Sequence, residues 1–299
     1  MPESGWLWIV FTLLAAGAQT VRNAMQRELT ATLGTAGATH VRFLFGFPFA
    51  VVFLSALVLI SGAALPSPAQ VFWLWVLLGM GAQVLATALM LMAMGERSFV
   101  VTIAYIKTEP VQVALFGLIF LGDRLTPGMV AAILIATAGV VTMSLKPGGA
   151  ANDSWRPTLL GLSSGAAFAL SAVGYRGGIL SLELSNYVMA ATFTLTAGLA
   201  MQAVLLSAWL MWRSPDVMAA IMKAWRPSLF AGFMGATASQ FWFLAFALAT
   251  AASVRTLALV EVLFAQAISS LVFGQRTTRR EALGIVLVVT GVALLIWAH

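Results

Sequence analysis

The chain has 299 residues, 61% of them apolar and 9% charged, with a formal net charge of +6 and no cysteine. Soluble proteins sit nearer about 45–50% apolar and about 25% charged, so this balance excludes a soluble fold and points to transmembrane segments. The missing cysteines remove disulfides, thiolate metal sites and cysteine nucleophiles, and no basic domain is present to hold nucleic acid.

The sequence predicts ten helices close to the roughly 20 residues that cross a bilayer. They fall near 6–25, 39–61, 71–94, 99–121, 128–145, 158–180, 187–212, 228–249, 254–273 and 282–298. The apolar runs are continuous rather than alternating, which favours helices over a barrel. In the first span Gln19 and Asn23 share a face at i, i+4 and are candidate pocket residues. Arg22, with His40 and Arg42 at the start of the second span, reads as an anchor at a membrane face, where arginine reaches water along its own stem. In the third span Gln83 and Thr87 again share a face, and Gly79 and Gly81 offer room for close packing.

The fourth span holds Lys107 and Glu109, and an ionisable group at the centre of a span costs about 2.5–3.5 kcal/mol, which marks it as functional. Tyr105, Glu109 and Gln112 recur on one face, with Lys107 available for a carboxylate. Lys107 and Glu109, two apart, do not share a helix face, and Pro110 should bend the helix and free a carbonyl near Ile106. An alternative role for Glu109 and Glu261 is to hold two halves together. The polar stretch from Lys146 to Arg156 reads as a linker. Tyr175 and Tyr187 are scarce phenols that seek a hydrogen-bond partner if buried, with an interfacial belt as the commoner place for tyrosine; Tyr175, in the sixth span, is the candidate pocket residue. In the eighth span Ser239 and Gln240 are candidate pocket residues. The Phe241, Trp242, Phe243 and Phe246 cluster fits either a lipid-facing surface, the commoner fate, or a substrate cavity, for which Trp242 is the candidate. Glu261 is the ionisable residue of the ninth span.

An internal repeat organises these elements. Glu109 and Glu261 are 152 residues apart, and the same offset carries Gly122 onto Gly274, Arg124 onto Arg276, Thr126 onto Thr278, Ile133 onto Ile285, Gly139 onto Gly291 and Thr87 onto Ser239. The domains are therefore 1–148, a linker at 149–156, and 157–299. Five spans per half is an odd number, so the second copy enters the membrane from the opposite side, the inverted-repeat arrangement of secondary transporters. Neither a nucleotide-binding loop nor a histidine cluster is encoded, His40 and His299 lying at opposite ends, and enzyme readings fail on this inventory. Counting Lys and Arg between the spans puts the N-terminus outside.

The Glu109-Pro110 pair, the Gly122-Asp123-Arg124-Leu125-Thr126 string and its degenerate copy at 261–278 resemble the EamA-type drug/metabolite transporter superfamily. Within it the chain is most similar to the YddG-type aromatic amino-acid exporters. That resemblance implies an all-α membrane protein of ten helices in two inverted five-helix repeats around a central cavity. It implies cytoplasmic termini, spans one, three, four, six, eight and nine at the cavity, and five and ten at the periphery. The expected function is export of small neutral and aromatic amino acids by alternating access, with another metabolite or drug, or a passive channel, as alternatives. Expected partners are the solute and the bilayer of a bacterial inner membrane, with the chain a monomer and no cofactor.

Overall fold

The computed structural model describes residues 6–96, 105–144, 155–263 and 278–298. All regular structure among them is helical: α1 Leu7–Leu44, α2 Phe47–Ser61, α3 Gln70–Glu96, α4 Glu109–Phe116, α5 Pro127–Ser144, α6 Arg156–Ser181, α7 Tyr187–Arg213, α8 Pro215–Lys223, α9 Trp225–Leu248, α10 Ala251–Leu257 and α11 Arg279–Ala298. A π-helical turn, Gly117–Leu121, extends α4, and a 3₁₀ turn, Ala258–Val260, extends α10. Several of these helices are long and apolar enough to cross a membrane, as a multi-pass membrane protein requires. Residues 149–154 of the expected linker and parts of the fourth and ninth spans lie outside the described residues, while Arg156, expected to end the linker, already opens α6.

Two boundaries differ from the sequence expectation. The first span does not end near residue 25 but continues to Gly34, whose φ of 67° and ψ of 177° break α1. An L side chain is strained at that φ, so glycine lets the chain reverse. Gln26 Nε2 then donates to the carbonyl of Ala38 at 3.0 Å, which closes the reversal. The polar run Gln26-Arg27-Glu28 is part of the helix, and its buried member, Gln26, finds this partner. The second departure is α8, a short helix between the seventh and eighth spans.

Helix starts carry recognisable caps. Asn186 accepts from the amides of Val188 and Met189, each at 3.1 Å, and opens α7. Thr126 accepts from Met129 N at 3.2 Å before α5. Thr278 and Glu281 form a reciprocal capping box before α11, at 3.3 and 2.7 Å. Thr126 and Thr278 are partners under the 152 offset, so the repeated threonine is a repeated N-cap.

The principal helix pairings are α1 with α9, α3 with α6, and α5 with α11. Under the offset α1 corresponds to α6, α3 to α9 and α5 to α11, so exchanging the halves leaves this set unchanged. The contact of α5 with α11 obeys the same rule at atomic detail. A Cβ on Gly139 would lie 2.8 Å from both Gly284 O and Val288 N, and one on Gly291 would lie 2.8 Å from Ala132 O and 2.6 Å from Ala136 N. Gly284 and Ala132, like Val288 and Ala136, are offset partners, and small residues let the two backbones touch.

Candidate functional site

The repeated glutamates each follow a break in their helix. Lys107 and Thr108 form a turn, and α4 restarts at Glu109 with Pro110 in its first turn. In the second half the 3₁₀ turn Ala258–Val260 immediately precedes Glu261. Val262 stands at the position of Pro110, so the break recurs without the proline, although proline fits the first helical turn well. The carbonyl of Ile106, which Pro110 was expected to free, faces α6, where a Cβ on Gly165 would meet it at 3.1 Å.

The two breaks bring four charges together in crossed pairs. Lys107 Nζ contacts Glu261 Oε1, and Arg255 Nε lies 3.0 Å from Glu109 Oε1. Each carboxylate is therefore paired with a cation from the opposite half of the chain. Trp242 orders the second pair: the Arg255 guanidinium carbon lies 4.3 Å from its ring centroid, while its Nε1 donates to Gln19 Oε1 at 3.0 Å. Phe246 takes the same guanidinium at 5.4 Å. The aromatic cluster is thus not a lipid face, since Trp242, Phe243 and Phe246 are buried.

These residues enclose a cavity of about 20 Å³ lined by Gln19, Arg22, Asn23, Lys107, Glu109, Arg255 and Glu261, with Met90, Ile106 and Phe168 as its apolar wall. That is room for about one water, so the site is closed around its own charges in this conformation. Larger grooves of about 500 Å³ lie elsewhere, one between Met25, Leu29 and Ala224 and one along Leu77, Leu85 and Leu170. Their walls are mostly apolar and open outward.

Arg22 and Arg42 correct the sequence reading most sharply. Both were expected at a membrane face; their relative exposures are 1% and 3%. From Gly34 they stand roughly 18 and 12 Å along their helices at 1.5 Å per residue, well inside the segments. Their stems cross α9 side by side, because a Cβ on Gly235 would come 3.3 Å from Arg22 Cδ and 3.4 Å from Arg42 Cγ. Arg22 donates from Nε and Nη2 to the neutral Asn23 Oδ1, at 3.2 and 2.6 Å, and its Nη1 has no hydrogen-bond partner. Arg42 donates to Thr87 Oγ1 at 3.2 Å, and its Nε has none. His40, the third expected anchor, is buried against Ser207 at 2.9 Å.

Of the residues expected at a pocket, Gln19, Asn23, Lys107, Glu109 and Glu261 line this one, and Trp242 borders it. Thr87 lies outside the lining; it accepts from Arg42 Nη1 and donates back to Gln83 O at 2.8 Å. Gln83 and Tyr175 stand apart in a neutral cluster: Gln83 Oε1 accepts from Tyr175 Oη at 3.1 Å and from Gln202 Nε2 at 2.9 Å. Tyr105 and Gln112 pack toward Gly161 and Gly165 of α6, while Gln240 donates to Thr192 Oγ1 at 2.9 Å and faces α7. Ser239 is buried on α9 outside the lining. Sequence reasoning missed Arg22, Met90, Ile106, Phe168 and Arg255 as lining residues.

No family model and no curated protein sequence matches the chain. A solved crystal structure that carries no functional description is similar with a TM-score of 0.68 and 17% identity, over 98% of this chain and 97% of that one. At that identity the likeness speaks to the fold alone.

Proposed function

We propose that this chain is a secondary transporter that moves small organic solutes across a bacterial inner membrane by rocking two inverted five-helix halves about the Glu109/Glu261 site. The observation that carries the reading is the crossed pairing of Lys107 with Glu261 and of Arg255 with Glu109. These pairs join the halves through the site itself, so moving the halves apart requires the site to open, and a solute arriving there bears on that equilibrium. Helix breaks beside both glutamates supply the bending points, and 3₁₀ segments within helices are a known form of hinge. The helix pairings support the inverted repeat, since they survive exchange of the halves.

Neutral and aromatic amino acids are the cargo that the EamA resemblance implies. The test is counterflow in proteoliposomes loaded with phenylalanine, threonine or methionine, each measured against its own labelled form. Saturable trans-stimulated uptake supports a carrier. Flux that rises linearly with concentration and shows no trans-stimulation would instead identify a channel, and no flux for any small organic solute would contradict the transporter reading.

A further inference from the structure

The charges at the site do not balance. Among the described residues the cations Lys107, Arg255 and Arg22 line the cavity and Arg42 lies beside Arg22, whereas the carboxylates lining it are the two of Glu109 and Glu261. Both carboxylates are engaged, one by Lys107 and one by Arg255. The hydrogen-bond partners of Arg22 and Arg42 are the neutral Asn23 and Thr87, and each arginine keeps one buried nitrogen without a hydrogen bond. Arg22 lies within electrostatic reach of Arg42, Arg255 and Glu261, so two like charges act on it against one carboxylate, which Lys107 already engages. A buried cation without a counter-charge is costly, and the cost is relieved when an anion arrives.

The repeat makes the same point by contrast. Under the offset Arg22 corresponds to Gly174, Asn23 to Tyr175 and Gly235 to Gln83. In the α3 and α6 pair those positions close on themselves: a Cβ on Gly174 would lie 2.6 Å from Gly79 N, and Tyr175 donates to Gln83. In the α1 and α9 pair Gly235 instead leaves space that two guanidinium stems occupy. The two helix pairs that the offset relates therefore differ at these positions, one closed and neutral, the other holding two guanidinium stems.

We propose that the transported solute is a small organic anion whose carboxylate or phosphate is held at Arg22, with Arg42 as the second cation behind it. This rests on the transporter reading above and narrows it. A zwitterionic amino acid adds no net charge, and its ammonium group meets two carboxylates that already have partners. An organic anion offsets the surplus, and guanidinium suits either oxyanion through its planar fork of donors.

The test uses matched solutes that differ in charge and little in shape. Counterflow is measured in proteoliposomes for phenylpyruvate against phenylalanine, and for glycerol 3-phosphate against glycerol. The anion of at least one pair should half-saturate transport at a concentration about tenfold lower than its uncharged or zwitterionic counterpart, the scale of one charge-assisted hydrogen bond. Which pair shows the difference tells carboxylate from phosphate. Arg22→Gln should lower anion exchange by about tenfold or more, with Arg22→Lys retaining a larger part. Thermal stabilisation of the wild-type protein by phenylpyruvate or glycerol 3-phosphate, but not by phenylalanine or glycerol, gives the same answer if the glutamine variant does not fold. Phenylalanine exchanging as well as phenylpyruvate, with glycerol 3-phosphate inert, overturns the anion seat and leaves the carrier intact. No exchange by any solute overturns the carrier and the seat together.

Discussion

Lys107 and Arg255 each neutralise a carboxylate from the other half of the chain. Removing one member strands its partner as a buried unpaired charge, a loss of about 3–5 kcal/mol. Glu261→Gln is therefore expected to destabilise the protein on that scale by leaving Lys107 alone, as measured by unfolding in detergent. Exchanging the charges, Lys107→Glu with Glu261→Lys, should recover most of the loss, and a double variant no more stable than the single one would show that the two side chains are not coupled. Glu109→Gln should alter transport as well, because it frees Arg255 beside Trp242. At this scale the sequence was legible wherever an ionisable residue stood in a clean apolar run, as with Lys107, Glu109 and Glu261. It misled at Arg22, because polar residues follow at once and only packing against Gly235 reveals the helix continuing past it. Nothing near Arg255 in the sequence signals that its guanidinium packs on Trp242 and Phe246.

The helices show how a repeat survives when its letters diverge. Thr126 and Thr278 are both N-caps, and a Cβ on either Gly139 or Gly291 would come within 3 Å of the opposing helix backbone. Substituting leucine for either glycine inserts a side chain where no space exists, and overpacking of this kind costs about 1–3 kcal/mol or more. Gly139→Leu and Gly291→Leu should thus lower the unfolding temperature by similar amounts. A large effect of one and none of the other would break the equivalence of the two contacts. The break before Glu109 was readable from Pro110, but its twin before Glu261 was not, since Val262 gives no local signal. Asp123 was visible only as part of a repeated string. In the structure it accepts from Arg176 Nη1 at 2.6 Å while Arg176 Nε donates to Ala249 O at 3.0 Å, tying the end of α4 to α6 and to the turn before α10. Long-range pairs of this kind have no period along the chain.

For the whole molecule, composition and run length were enough to read an all-helical, multi-pass membrane architecture, because a bilayer demands long helices that satisfy their own backbone. The asymmetry between the halves was less accessible. It depends on glycines and arginines facing each other across α1, α6 and α9, and it separates a neutral hydrogen-bonded cluster at Gln83 from a charged cavity at Arg22. Alternating access requires that cavity to meet each side of the membrane in turn. The chain has no cysteine, so a single one introduced by Gln19→Cys in the cavity wall is a clean probe. The decisive measurement is its labelling by a membrane-impermeant thiol reagent applied to one face and then to the other, with and without a transported solute. The transporter reading predicts modification from either face, slowed from both by saturating solute. Modification from one face only, unaffected by any solute the protein carries, would contradict it.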